Sequence, residues 1–227
     1  MSNSPNSQGG QPERPVVEMM DGLSTALISD ILDGKGYRGQ AMDHGIMPIR
    51  GDMKVAGQAF TMIASPVYEK AASHYEKLFD SYNHMKPNDV IVIATGGAFT
   101  SGIWGELLSI GAVARGATGI VTDGLTRDPF EIARDGFPCF AQGMSPVDSD
   151  GRLDITEFGT LISCGGVTVT QGDYIVGDEM GIVVIPRSIG REIADEALAK
   201  GAGERQVRSD LEAGVSVQDV FDRYGIL

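Results

Sequence analysis

Apolar residues recur at helical spacing from Val16 onward. Ser24 is placed to cap a helix that runs through Leu32, with Gly34 and Gly36 ending it. Residues 54–65 read as a strand, with Gly57 inside it as a bulge or a point of close backbone approach. Residues 69–82 return to helical periodicity with a charged outer face. Past the turn Lys86-Pro87-Asn88-Asp89, the run Val90-Ile91-Val92-Ile93-Ala94 is apolar throughout, which predicts a strand buried on both faces. Gly96 and Gly97 lead into residues 102–128, the stretch around which the rest is organised. It opens as a glycine-spaced loop, enters a helix near Gly105, crosses Gly116 and Gly119 into a short strand over 119–122, and ends in a polar turn at Arg127 and Asp128.

Beyond that turn, Pro129 suits the first turn of a short helix reaching Arg134, ended by Gly136. Residues 137–142 read as a strand, 148–156 as polar turn, and 165–170 and 173–186 as strands, the last folded back at Asp178-Glu179-Met180-Gly181 in a hairpin. Residues 187–214 form a long amphipathic helix with a candidate break near Gly201 and Gly203, and 216–224 add a final turn or two. Residues 1–14 have the Ser, Asn, Gln, Gly and Pro content of a disordered tail. No linker separates two units, so one α/β domain with mixed, partly antiparallel sheets is expected over residues 15–227.

Composition narrows the function. The formal charge of −13 argues against a nucleic acid or an anionic membrane as partner, since both require a basic face, but leaves room for a local basic pocket. Cys139 and Cys164 supply neither a disulfide framework nor a metal-ligand spacing, and His44, His74 and His84 have no paired spacing, so zinc and a catalytic triad are not expected. The chain has no run that would span a bilayer and no charged-then-apolar leader, and a soluble cytoplasmic protein is expected. Glycine-loop signatures for nucleotides are missing.

The candidates for chemistry lie at the two ends of 105–128. A helix start near Gly105 offers free backbone amides suited to an anion. Arg127 and Asp128 put a planar cation beside a hard oxygen ligand. If the strand runs antiparallel to the helix, both features share one end of the unit. Asp128 as a lone carboxylate suits Mg²⁺ or Mn²⁺ that keeps most of its waters; equally, it suits a turn or cap aspartate before Pro129. Arg127 is a bidentate carboxylate clamp or a surface arginine. Glu106 is a base acting through a water, or a charge favourable at a helix N-terminus. Asp123 reads as a turn residue with Gly124, Asp30 as a helix-face acid, and Trp104 as a packing or interface aromatic.

Seven segments, in order, resemble one family. They are residues 57–61 (GQAFT), 87–92 (PNDVIV), 104–108 (WGELL), 119–128 (GIVTDGLTRD), 136–141 (GFPCFA), 172–173 (GD) and 178–186 (DEMGIVVIP). Together they resemble the RraA-like family, which includes class II 4-hydroxy-4-methyl-2-oxoglutarate aldolases and the regulator of ribonuclease E activity. The resemblance implies a three-layer β/β/α, swivelling-domain-like fold assembled into trimers or hexamers with sites at subunit interfaces. It implies that Asp128 is the single protein ligand of Mg²⁺ (or Mn²⁺), and that Arg127 binds an α-keto acid and steadies its enolate. The amides of Gly105, Glu106, Leu107 and Leu108 would hold the carboxylate, and Glu106 would bond a metal-bound water. Asp30 and Glu204 are matched to acids that approach from a neighbouring subunit. The implied reaction is cleavage of a 4-hydroxy-2-oxo acid to pyruvate, with oxaloacetate decarboxylation as a companion. The alternatives are a regulator that docks on a ribonuclease or helicase, and an enzyme for another hydroxy or sugar acid. One position departs: the characterised aldolases resemble Gly-Asp where this chain has Gly105-Glu106.

Overall fold

A computed structural model describes residues 15–69 and 74–225. The expected tail at 1–14, and residues 70–73 of the expected helix over 69–82, lie outside the described residues. The chain opens with α1 (Val16–Met20) and α2 (Thr25–Gly34), then β1 (Met47–Pro48) and the long β2 (Val55–Pro66). Three crossovers follow: α3 (Glu76–Tyr82) into β3 (Asp89–Ala94); β4 (Gly102–Trp104) and α4 (Glu106–Ala114) into β5 (Gly119–Thr126); and α5 (Pro129–Arg134) into β6 (Cys139–Met144). Then come β7 (Leu153–Phe158), β8 (Ile162–Cys164), β9 (Val167–Val169), β10 (Tyr174–Asp178) and β11 (Gly181–Ile185), and finally α6 (Gly190–Glu212) and α7 (Val217–Tyr224).

The strands β6, β5, β3 and β2 run parallel side by side, because each is joined to the next by a helix. Antiparallel β10–β11, β7 and β1 extend this core into a nearly closed nine-stranded mixed sheet. Strand alternation sorts the apolar side chains by face. Val90, Val92 and Ala94 of β3, with Ile182 and Val184 of β11, turn inward onto the β8–β9 hairpin. Ile91 and Ile93 of β3 turn outward, where Leu78, Ala112 and Ile132 bring α3, α4 and α5 onto the sheet. Val183 and Ile185 pack under α1, α2 and α6. Hairpin, sheet and helices give the expected β/β/α layering, and the all-buried β3 is the strand its unbroken apolar run foretold. Gly57 is the expected close approach: a Cβ there would collide with the Asn88 carbonyl.

Several expectations are corrected. Strand β5 continues through Thr126 instead of turning after 122, because its polar residues find partners inside: Asp123 Oδ1 accepts from the Thr95 backbone N–H (2.6 Å) and hydroxyl (2.9 Å). Residues 153–158 are a strand and not a turn; Leu153 and Ile155 alternate inward between polar residues. The glycine-spaced approach to Gly105 contains β4, and 162–164 is a strand. Helix α6 runs 23 residues without a break, and Gly201 lies within packing distance of Leu27 on α2 (3.5 Å from a built Cβ to Cδ2).

Candidate functional site

The parallel strands end where a ligand site is expected in an open α/β sheet, outside their carboxyl ends. Strand β4 pairs with the last residues of β5, Gly102 with Leu125 and Trp104 with Thr126. The chain leaves β5 held to β4 once more, as the Arg127 N–H donates to the Trp104 carbonyl at 2.7 Å. Glycine at 102 follows directly, since a Cβ there would occupy the space of Arg127 Cγ. Asp128 then takes a left-handed conformation (φ +49°, ψ +43°), which aspartate tolerates better than most residues, and Pro129 begins α5. Such a conformation in a non-glycine residue persists where its surroundings enforce it.

Because α4 starts one residue after β4, its N-terminus meets this turn. The Glu106 backbone N–H donates to Asp128 Oδ2 at 3.2 Å, so the helix start and the Arg-Asp pair lie together, as the strand-helix geometry required. Gly105, the residue before α4, leaves room for that carboxylate: a Cβ there would sit 2.8 Å from Oδ2. Among the described residues the other oxygen of Asp128 takes no hydrogen bond, and the residue is exposed.

Arg127 is partly buried, with Nη1 3.3 Å from Asp148 Oδ1 and with Nε buried and, among the described residues, without a hydrogen-bond partner. These groups open onto a cleft of about 370 Å³. Its charged and polar lining is Arg127, Asp128, Asp148 and Ser149. Its remaining wall comes from Tyr75, Leu78 and Phe79 of the α3 region, Ile103 and Trp104 of β4, and Leu107 and Leu108 of α4. Trp104 is 1% exposed and its indole N–H is committed to Ser109 Oγ at 2.8 Å, so it is the packing aromatic it was read as.

Three sequence candidates stand elsewhere. Glu106 pairs its carboxylate with Arg134 Nη2 at 3.0 Å, and it does not line the cleft. Asp30, on α2, pairs with Lys200 of α6 at 3.2 Å and is largely exposed. Glu204 lies on a separate groove along α6 with Arg205 and Arg208. Neither Asp30 nor Glu204 lines the cleft within one chain. In the other direction, sequence reasoning missed Asp148, Ser149 and the α3 wall. Residues 148–149 read only as turn, and nothing in their spacing to Arg127 marks them.

No three His, Cys, Asp or Glu side chains converge as a metal cage among the described residues. Asp128 alone, exposed and with one oxygen free of hydrogen bonds, fits a divalent ion that keeps its waters, the coordination Mg²⁺ prefers, and does not fit tetrahedral zinc.

Over residues 25–184 the chain matches the model of the RraA-like family, described as Aldolase/RraA, and it belongs to that family. A Halalkalibacterium halodurans protein provisionally named 4-hydroxy-4-methyl-2-oxoglutarate aldolase is 30% identical over 86% of this chain and 87% of its own length. Protein DlpA of Legionella pneumophila is 26% identical over 92% of this chain, yet the match takes up 34% of DlpA, so this chain spans about a third of that protein. Among solved structures, Streptomyces coelicolor RraAS2, described as an unusual member of the RNase ES inhibitor RraA protein family, superposes with a TM-score of 0.78 at 28% identity, covering 88% of this chain and 99% of that one. Among the described residues, no helix is long and apolar enough to cross a membrane.

Proposed function

We propose that this chain is a divalent-metal-dependent lyase that cleaves a 4-hydroxy-2-oxo acid to pyruvate, with oxaloacetate decarboxylation as a side activity. The observation that carries this reading is the meeting of Arg127, Asp128 and the first amides of α4 at the mouth of one cleft. A Mg²⁺ or Mn²⁺ held by Asp128 would supply Lewis acidity at the 2-oxo group. Arg127, partly buried on the cleft wall, would offer its guanidinium to the substrate's oxygens. The amides of Gly105 to Leu108 receive its carboxylate. Glu106, reached through a water, accepts the proton of the C4 hydroxyl. The O–H electrons become the new C4 carbonyl, the C3–C4 pair moves to C3, and the resulting enolate oxygen faces Arg127. A water then protonates C3 and pyruvate leaves. For Glu106 to act, its pairing with Arg134 must yield; both side chains are partly exposed, so that pair is weak.

Exposed Ile110 and Val113 on α4 and Phe130 on α5 support assembly into a homotrimer or hexamer, which would bring Asp30 and Glu204 of neighbouring subunits toward other sites. A cytoplasmic location, and no nucleic acid or membrane as partner, belong to the same proposal and rest on the acidic charge. A second reading, a regulator that binds a ribonuclease or helicase, is favoured by the likeness to RraAS2. It has no use for Arg127 and Asp128. A pyruvate assay coupled to lactate dehydrogenase, with Mg²⁺ and a panel of 4-hydroxy-2-oxo acids and oxaloacetate, separates the two. Turnover that vanishes in Asp128→Ala, with the fold intact, supports the lyase. No pyruvate from any substrate leaves the regulator, or an enzyme of this scaffold for another hydroxy or sugar acid.

A further inference from the structure

Resting on the lyase reading, we infer that Asp148 is a positioning residue for Arg127. It holds the guanidinium in the pose that meets charge developing on the substrate, and in doing so loosens the grip on the unreacted acid.

The guanidinium has one end to be fixed. The stem of Arg127 lies against Gly102, in the space a Cβ there would take, so β4 seats its aliphatic part. That packing does not orient the head, because Nε is buried and, among the described residues, has no hydrogen-bond partner. The head's ion pair is with Asp148, whose Oδ1 stands 3.3 Å from Nη1. A guanidinium is planar, so anchoring one of its nitrogens sets the direction of the others.

Asp148 is itself built into place. The loop that carries it is tied to Thr126, which precedes Arg127, and to Gly102 beneath the Arg127 stem. The Ser145 N–H donates to the Thr126 carbonyl and the Gly102 N–H to the Val147 carbonyl, each at 2.9 Å. Arg152 Nη1 donates to the Asp148 carbonyl at 3.0 Å. Asp148 Oδ1 also accepts from the Asp150 N–H at 3.4 Å, a local turn that restrains the side chain. All of these contacts are made within one chain; groups that a neighbouring copy brings to the cleft act on top of them. Both side chains of the pair are partly exposed, so it adds little to stability, and its effect is directional.

Removing the charge of Asp148 frees Arg127 to close on the substrate's carboxylate in whichever pose binds best. Binding of the unreacted acid strengthens while the match to the enolate is lost, a combination that lowers kcat and KM together. An acid that only braces its loop behaves otherwise: its loss raises KM as kcat falls. An idle surface pair changes neither.

Asp148→Asn keeps the Oδ1 acceptor, and with it the turn, and deletes the charge. In the pyruvate assay with Mg²⁺ it is expected to lower kcat by about 10-fold and KM by about 2- to 5-fold. Calorimetric titration with pyruvate in the presence of Mg²⁺ should show the variant binding more tightly by the same factor as KM falls. In an Arg127→Lys background the substitution should change kcat by no more than about twofold, since the acid acts through the plane of the guanidinium. Native kcat and KM in Asp148→Asn, a KM that rises as kcat falls, or an undiminished loss in the lysine background overturns the inference and leaves the lyase reading standing. If the native chain releases no pyruvate from any acid tried, the lyase reading falls and this role falls with it.

Discussion

Gly105→Ala isolates the part of the site that positions Asp128. The glycine's backbone is extended (φ −157°, ψ −176°), a conformation alanine also adopts, so the substitution brings no backbone strain of its own. What it adds is one methyl carbon 2.8 Å from Asp128 Oδ2, several tenths of an ångström inside ordinary contact. The short aspartate side chain yields by rotating, and in doing so gives up the 3.2 Å bond from the Glu106 N–H. Loss of one exposed, charge-assisted hydrogen bond should lower stability by about 1 kcal/mol. In a domain of this size that shifts Tm by about 2–4 °C. Turnover should suffer far more. A shift of the carboxylate proposed to hold the metal by a good part of an ångström is expected to lower kcat by about 100-fold. Thermal unfolding followed by circular dichroism, beside the coupled pyruvate assay, reads both numbers on one sample. A variant that loses the few degrees but keeps kcat within about threefold would refute the argument that Gly105 is glycine for the sake of Asp128.

Arg127→Lys keeps the charge but removes the fork; turnover should fall at least about 10-fold, and near-native activity would argue against a bidentate grip. Chelation with EDTA should silence pyruvate release, and added Mg²⁺ or Mn²⁺ should restore it; activity that survives chelation ends the metal reading. Gly201→Ala meets only an ordinary contact with Leu27 inside a helix, so it should raise stability by about 0.5–1 kcal/mol and leave kinetics unchanged. Burial raises the Asp89 carboxyl above its usual range. The folded state therefore holds that proton more tightly than the unfolded chain, and this group's contribution to stability declines as pH rises from the unfolded pKa through the folded one. Asp89→Asn should flatten that part of the profile in denaturant titrations at a series of pH values, and an unchanged slope there would contradict it.

The legible parts of the sequence were those where one local rule acts alone. Strand β3 shows because five apolar residues in a row admit few other readings, and α5 because Pro129 and Gly136 bracket it. The second half of β5 was hidden, since Asp123-Gly124 is ordinarily turn chemistry; only Thr95, distant in sequence, makes it strand. Strand β7 was masked in the same way by the acids between its inward residues. In the site, the neighbours Arg127 and Asp128 and the nearby start of α4 stood out because all lie within one crossover. Asp148 and the α3 wall did not, since their place is fixed by the pairing of β4 with β5 and of β7 with β2. No spacing along the chain encodes that.

In the free protein, the two groups best suited to hold an acid are already engaged by the chain's own acids: Asp148 on Arg127, and Asp128 on the first amide of α4. An acid entering the cleft therefore competes with these contacts at Arg127 and at the first amide of α4. On the lyase reading, such an exchange lowers ground-state affinity and favours whatever develops more negative charge than a carboxylate as it reacts.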